Sequence, residues 1–126
     1  MNIRRIVPDI SSTNLEESKK FYSDFIGLKL AMDMGWILTF ISKSNPTAQI
    51  NILRSKQPTV DNSNFAISIE VADVDKLYKK TLLNNWKIVY HLTNEEWGVR
   101  RFFIKDPDGV TVNIMCHLTN VEEASR

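Results

Sequence analysis

The order of apolar segments in this chain is written twice, once on each side of a polar, proline-bearing stretch at 55–64. Each half reads as a strand, a helix and three more strands. In the first half, residues 3–7 suit a short strand ended by Pro8. Asn14, with Glu17 three residues on, has the spacing of a capping box, which satisfies free backbone donors at a helix start. Leu15, Ser18, Tyr22, Phe25 and Ile26 then recur at helical spacing, and Gly27 suits the left-handed residue that closes a helix. Strands are expected at about 28–33, 36–41 and 48–53.

The second half repeats the order. A strand is expected at 65–71, and Asp73 is placed to cap a helix whose buried stripe is Val74, Leu77, Tyr78, Thr81 and Leu82. Asn84 and Asn85 end it. Strands should follow at about 86–92, 99–105 and 110–116. The last two are joined by Asp106-Pro107-Asp108-Gly109, a turn signal in which Pro presets one dihedral and Gly permits the positive one. A doubled βαβββ order predicts an α+β fold: two modules forming curved mixed, mostly antiparallel sheets with helices on the outer face. The expected organisation is a single domain over 1–126, with module one at 1–54, the linker at 55–64, module two at 65–117 and a tail at 118–126.

Bulk properties narrow the function classes. Sixteen basic and fifteen acidic residues are interspersed, leaving no basic stripe for nucleic acid or an anionic membrane. The apolar runs fall far short of the roughly 18 residues of a membrane span. No signal-peptide pattern opens the sequence, and a lone Cys116 cannot make an internal disulfide. A cytoplasmic location is the expectation.

Strand alternation separates the faces of the sheets. In 48–53, Ile50 and Ile52 take one side and Gln49 and Asn51 the other. In 110–116, Val110, Val112, Ile114 and Cys116 oppose Thr111, Asn113 and Met115. In 65–71, Phe65, Ile67, Ile69 and Val71 oppose Ala66, Ser68 and Glu70. Three strands therefore offer a face of small, amide and hydroxyl groups. Ser-His-Asp spacing, a glycine-rich phosphate loop and paired cysteines are all lacking. Cys116, Trp86 and Phe21 read as core. Trp36 and Trp97 are placed for stacking on a planar ligand.

The run Leu15-Glu16-Glu17-Ser18-Lys19-Lys20-Phe21-Tyr22, then Gly27, and later Trp97-Gly98 followed by Asp106-Pro107-Asp108-Gly109, resembles the glyoxalase/bleomycin-resistance/dioxygenase family, the vicinal oxygen chelate fold. The resemblance spans about 3–116. It implies that the sheet face away from the helices curls into a ligand cavity. It also implies metal-ligand positions near Val7, Gln49 (or Asn51), Ala66 and Asn113, none of which is His, Asp or Glu. A one-residue shift gives Pro8 or Phe65. Zinc, iron and manganese want about three imidazole, carboxylate or thiolate donors. The expectation is therefore no metal and no cofactor, as in the metal-free bleomycin-resistance-type branch.

On that reading the protein sequesters an aromatic or antibiotic-like molecule in a sheet-lined groove. Trp36 and Trp97 would stack, and Gln49, Asn51 and Asn113 would supply amide hydrogen bonds. Arg100 is taken as the charged contact, although Arg101 has the opposite parity and sequence leaves open which faces the cavity. No catalytic residue is assigned; Glu70, which shares parity with Ser68, is the outsider. The rival is a metal-dependent glyoxalase-like lyase or isomerase, or a dioxygenase, built from Asp9, Glu70, His91 and His117. The resemblance further implies a C2 homodimer with shared grooves.

Overall fold

The computed structural model describes residues 1–118; the expected tail lies outside them from 119 onward. The chain divides into two compact units, Met1–Asn62 and Ser63–Arg126, parted within the expected linker. Each unit is one βαβββ module. The first holds β1 (Asp9–Ser12), α1 (Leu15–Lys19), β2 (Lys29–Asp33), β3 (Ile37–Ile41) and β4 (Gln49–Arg54). The second holds β5 (Ala66–Glu70), α2 (Val74–Leu83), β6 (Ile88–Asn94), β7 (Val99–Lys105) and β8 (Thr111–His117). Sheet orders are β1-β4-β3-β2 and β5-β8-β7-β6. In each, the first strand runs parallel to the last and the other pairs are antiparallel. A parallel pair cannot be joined by a tight turn, so each module returns through its helix.

The first strand departs from expectation, as does Leu82, expected in the buried stripe of the second helix but half exposed. Residues 3–7 are not a strand, and Ile3 and Ile6 are largely exposed. Pairing begins where Asn51 N–H donates to the Pro8 carbonyl at 2.9 Å. Proline lacks the donor a ladder needs but keeps its acceptor, so Pro8 opens β1 instead of ending it. Asp9 then stands opposite Asn51 and Ile10 opposite Ile52.

Asn14 caps α1 with one carboxamide oxygen, which accepts from the N–H groups of Glu16 (3.1 Å) and Glu17 (3.2 Å). The reciprocal half of the box is replaced, because Asn14 N–H donates to Ser12 Oγ and the Glu17 carboxylate pairs with Lys20. Past Lys19 the helix widens into a π-helical segment, Lys20–Phe25, in which Ile26 N–H reaches the Phe21 carbonyl at 2.9 Å. Phe21, Tyr22 and Phe25 are all buried there. Phe21 meets Tyr22 edge-on at 4.8 Å, and Tyr22 lies 5.6 Å from Phe40 of β3. Gly27 follows at φ +94°, the left-handed stop that glycine adopts without a Cβ clash. In the second module Asp73 accepts from Lys76 N–H to cap α2, and Asn85, at φ +56°, supplies the left-handed exit.

Both cores are the apolar half of a strand alternation. Ile10, Leu38, Phe40 and Ile52 are buried in the first module, and Phe102, Ile104, Val112 and Ile114 in the second. Each such side chain contributes about 1.5–3 kcal/mol.

Register makes the repeat exact in position. Asp9, Asn51 and Thr39 stand in one row across the first sheet; Ser68, Asn113 and Phe103 stand in the corresponding row of the second. The irregularity in β2 falls between Leu30 and Met32, and the matching one in β6 between Ile88 and Tyr90. An extra residue at a bulge bends and twists its strand. The edge hairpin of each sheet is therefore curved at the same place.

Candidate functional site

Two sheet faces turn away from their helices. On the first, Thr39 Oγ1 donates to Asn51 Oδ1 at 2.7 Å, and Asn51 Nδ2 donates to Asp9 Oδ1 at 2.9 Å. Asn51 is therefore on the open face as expected, joined by Asp9. Gln49 has this parity too, but its amide is engaged by its own loop: Nε2 donates to the Pro46 carbonyl and Oε1 accepts from Arg5. Trp36 is placed differently. Arg54 N–H donates to the Trp36 carbonyl at 2.8 Å, continuing the β3–β4 ladder one step past Ile37 and Leu53. By that register Trp36 takes the side of Leu38, the helix side, at the mouth of the β2–β3 hairpin and half exposed.

The second open face carries more chemistry. The Asp-Pro-Asp-Gly turn sets its register. Asp106 Oδ1 accepts from the N–H groups of Asp108 (2.8 Å) and Val110 (2.9 Å), and Gly109, at φ +87°, lets the chain reverse. Lys105 then faces Thr111, Phe103 faces Asn113, and Arg101 faces Met115.

The two arginines separate accordingly. Arg100 points to the helix side, where Nη2 and Nε bind the Asp75 carboxylate of α2 at 2.7 and 3.3 Å and Nη1 binds Asn94 Oδ1 at 2.8 Å. The hydrogen bond to Asp75 holds its guanidinium pKa above the ordinary value. Arg100 thus clamps α2 to β7, and the arginine of the open face is Arg101.

Arg101 sits among three rings, its guanidinium carbon 4.7 Å from the Phe103 centroid, 5.0 Å from Trp97 and 5.7 Å from Tyr90. A planar cation over aromatic faces is held by the ring quadrupoles. Nε and Nη2 both reach Glu95 Oε2, at 2.9 and 2.7 Å, and Tyr90 donates its hydroxyl to Glu95 Oε1 at 2.9 Å. The Glu95 side chain is 10% exposed, with its charge paired to Arg101 and each oxygen accepting a hydrogen bond. Glu95 carries no assigned role in the sequence. Propagating the register back from Asp106-Pro107-Asp108-Gly109 is the signal that assigns Arg101 to the face of Met115.

On neighbouring strands Asn113 Nδ2 donates to Ser68 Oγ at 3.1 Å, while Asn113 Oδ1 is buried with no partner among the described residues. At the end of the sheet Glu70 meets His117, Oε2 to Nδ1 at 3.1 Å, both well exposed. The remaining parts of the rival enzyme are elsewhere. His91 Nδ1 bonds the Tyr78 hydroxyl of α2 at 2.6 Å, and Asp9 belongs to the first unit. Cys116 stands opposite Arg100 on the helix side, half buried.

The donor set can be tested against a metal. Val7 and Ala66 offer no ligand atom, and Asn51, Gln49 and Asn113 offer neutral amides already engaged in part. Among the described residues no three of His, Cys, Asp and Glu come together. A transition ion needs anionic or imidazole donors to replace its hydration, and these positions do not fit one.

No helix among the described residues is long and apolar enough to cross a membrane. Several solved structures share the fold. A glyoxalase/dioxygenase from Nostoc punctiforme aligns with a TM-score of 0.79 at 15% identity, over 94% of this chain and 94% of its own. TioX from Micromonospora sp. ML1 aligns at 0.74 and 18% identity, over 90% of this chain and 98% of that one. A bleomycin resistance determinant encoded on transposon Tn5 aligns at 0.72 and 14%, over 91% and 98%. At these identities the likeness is one of fold. No curated protein sequence matches the chain. The model of the glyoxalase-like domain matches residues 6–119, nearly the whole chain. The repeated βαβββ module, its mirrored bulges and this match agree: the protein belongs to the family of glyoxalase-like domains.

Proposed function

We propose that this protein is a metal-free member of the family that binds a small planar ligand and holds it without turnover. The observation that carries the reading is the contrast on its open sheet faces. The family's metal positions bear Val, Ala and amides, while the second sheet gathers Trp97, Tyr90 and Phe103 around a fixed arginine. Indole and phenol rings with a few directed polar groups suit an aromatic, antibiotic-like molecule. Asn113 of the second sheet supplies an amide; Trp97 keeps the stacking role that sequence shared between it and Trp36, and Arg101 takes the charged contact first given to Arg100. By likeness to its family the protein works as a homodimer, and its sequence suits a cytoplasmic location.

The test is tryptophan fluorescence titrated with a panel of planar compounds, bleomycin among them, alongside metal analysis of the purified protein. Quenching that Trp97→Phe abolishes and Trp36→Phe leaves intact is expected. Stoichiometric retained zinc, iron or manganese would sink the reading in favour of a metal-dependent lyase, isomerase or dioxygenase.

A further inference from the structure

The open face of the second sheet has a donor and an acceptor left over, and their placement specifies a ligand class. Arg101 spends Nε and one Nη2 hydrogen on Glu95, leaving the Nη1–Nη2 end of the guanidinium without a partner among the described residues. That end is a second fork, matched in geometry to a carboxylate. Its side chain is 24% exposed, so a ligand can reach it. Stacking among Tyr90, Trp97 and Phe103 fixes the plane of the group in advance, which lowers the ordering cost of binding. The acceptor is Asn113 Oδ1, buried and unpartnered among the described residues. Asn113 lies two residues from Met115, which faces Arg101, so the two side chains rise from one face at backbone positions offset by about 7 Å along the strand.

We infer that this face takes a planar aromatic anion: a ring over Phe103, a carboxylate on the free fork of Arg101, and a hydroxyl at the far end donating to Asn113. The inference rests on the capture reading and names its ligand class. A cation fits less well. Glu95 has both oxygens engaged and is nearly buried, and Glu70 is already paired with His117. A hydrogen-bond donor, for which a hydroxyl serves, is called for at that end because Asn113 already gives an amide hydrogen to Ser68 and keeps a bare oxygen.

The experiment is calorimetric and Trp97-fluorescence titration of the full chain with three probes: 4-hydroxybenzoate, 4-hydroxybenzamide and 4-methoxybenzoate. The carboxylate should bind at least about 10-fold more tightly than the amide, since a charge-assisted fork is lost. The phenol should likewise exceed the methyl ether. Arg101→Met should erase the first preference and keep the second; Asn113→Ala should do the reverse. Equal binding of acid and amide by the unaltered protein overturns the inference, whether or not either variant folds, and so does a carboxylate preference that survives Arg101→Met. If neutral or cationic planar compounds quench Trp97 while 4-hydroxybenzoate does not, the anion assignment falls and capture stands. If no planar compound of any charge binds, both fall.

Discussion

Removing the Asp106 side chain should unfasten the register on which the second open face depends. Its carboxylate, 6% exposed, accepts two backbone hydrogens across the β7–β8 turn. Val110 is wholly buried, so its N–H has no water to turn to when the acceptor goes; a stranded donor of this kind costs about 1–3 kcal/mol. Asp108 N–H is half-buried and recovers part of its loss from solvent, adding about 0.5–1 kcal/mol. The bonds from Asp106 N–H to Val110 and from Gly109 N–H to Asp106 use backbone atoms alone and survive. Asp106→Ala should therefore destabilise by roughly 1.5–4 kcal/mol. At a urea dependence of about 2 kcal/mol per molar, the unfolding midpoint falls by about 0.8–2 M. Asp106→Asn keeps an acceptor oxygen in the same place and should lose about 1 kcal/mol. Equilibrium urea unfolding of the three proteins reads both numbers. Were Asn as damaging as Ala, charge and not acceptor geometry would be what the turn needs. A loss under about 0.5 kcal/mol for Ala would refute the reasoning altogether.

Two further perturbations probe the first module. Asn14→Ala removes the acceptor for Glu16 and Glu17 N–H and should lower stability by about 1 kcal/mol in the same assay; Asn14→Asp should be close to neutral. Lys19 donates to Asp33 and Glu16 at 2.9 Å, which raises its pKa above 10.5, while Lys19 and Gly35 N–H lower that of Asp33 below 3.8. A depressed carboxylate contributes stability that is present above pH 3.8 and lost as pH falls through the folded value. A raised ammonium contributes stability present below pH 10.5 and lost as pH rises through its own. The stability gap between the natural protein and Lys19→Met should be flat between those limits and shrink beyond both. A gap that shrinks at neither the acid nor the alkaline end in urea unfolding would assign it to lost packing of the lysine stem.

The two modules show which half of a strand pattern is legible and which is not. Helix-side positions correspond in kind across the repeat: Ile10 with Ile69, Ile52 with Ile114, Leu38 with Phe102. Their alternation, with Gly27, Asp73 and the Asp-Pro-Asp-Gly turn, was enough to order the strands and helices, because burial and turn geometry act through few residues each. What failed was set by pairing partners. The start of β1 depends on where β4 and the crossover helix let a parallel ladder begin, so Ile3, Ile6 and Val7 gave a strand-like signal without a partner strand among the described residues. The paired bulges leave no mark in composition. Opposite the core the repeat diverges: Thr39 stands where Phe103 does, Ile37 where Arg101 does, Leu53 where Met115 does, and Ser11 where Glu70 does. These side chains are not needed to fill an interior, so the fold leaves them unconstrained, and one scaffold presents a hydrogen-bonded polar row in one module and an arginine among rings in the other. Arg100 and Arg101 make the same point within two residues. Identical in sequence, they differ by one step of a ladder, and that step sends one to brace a helix and the other to the open face.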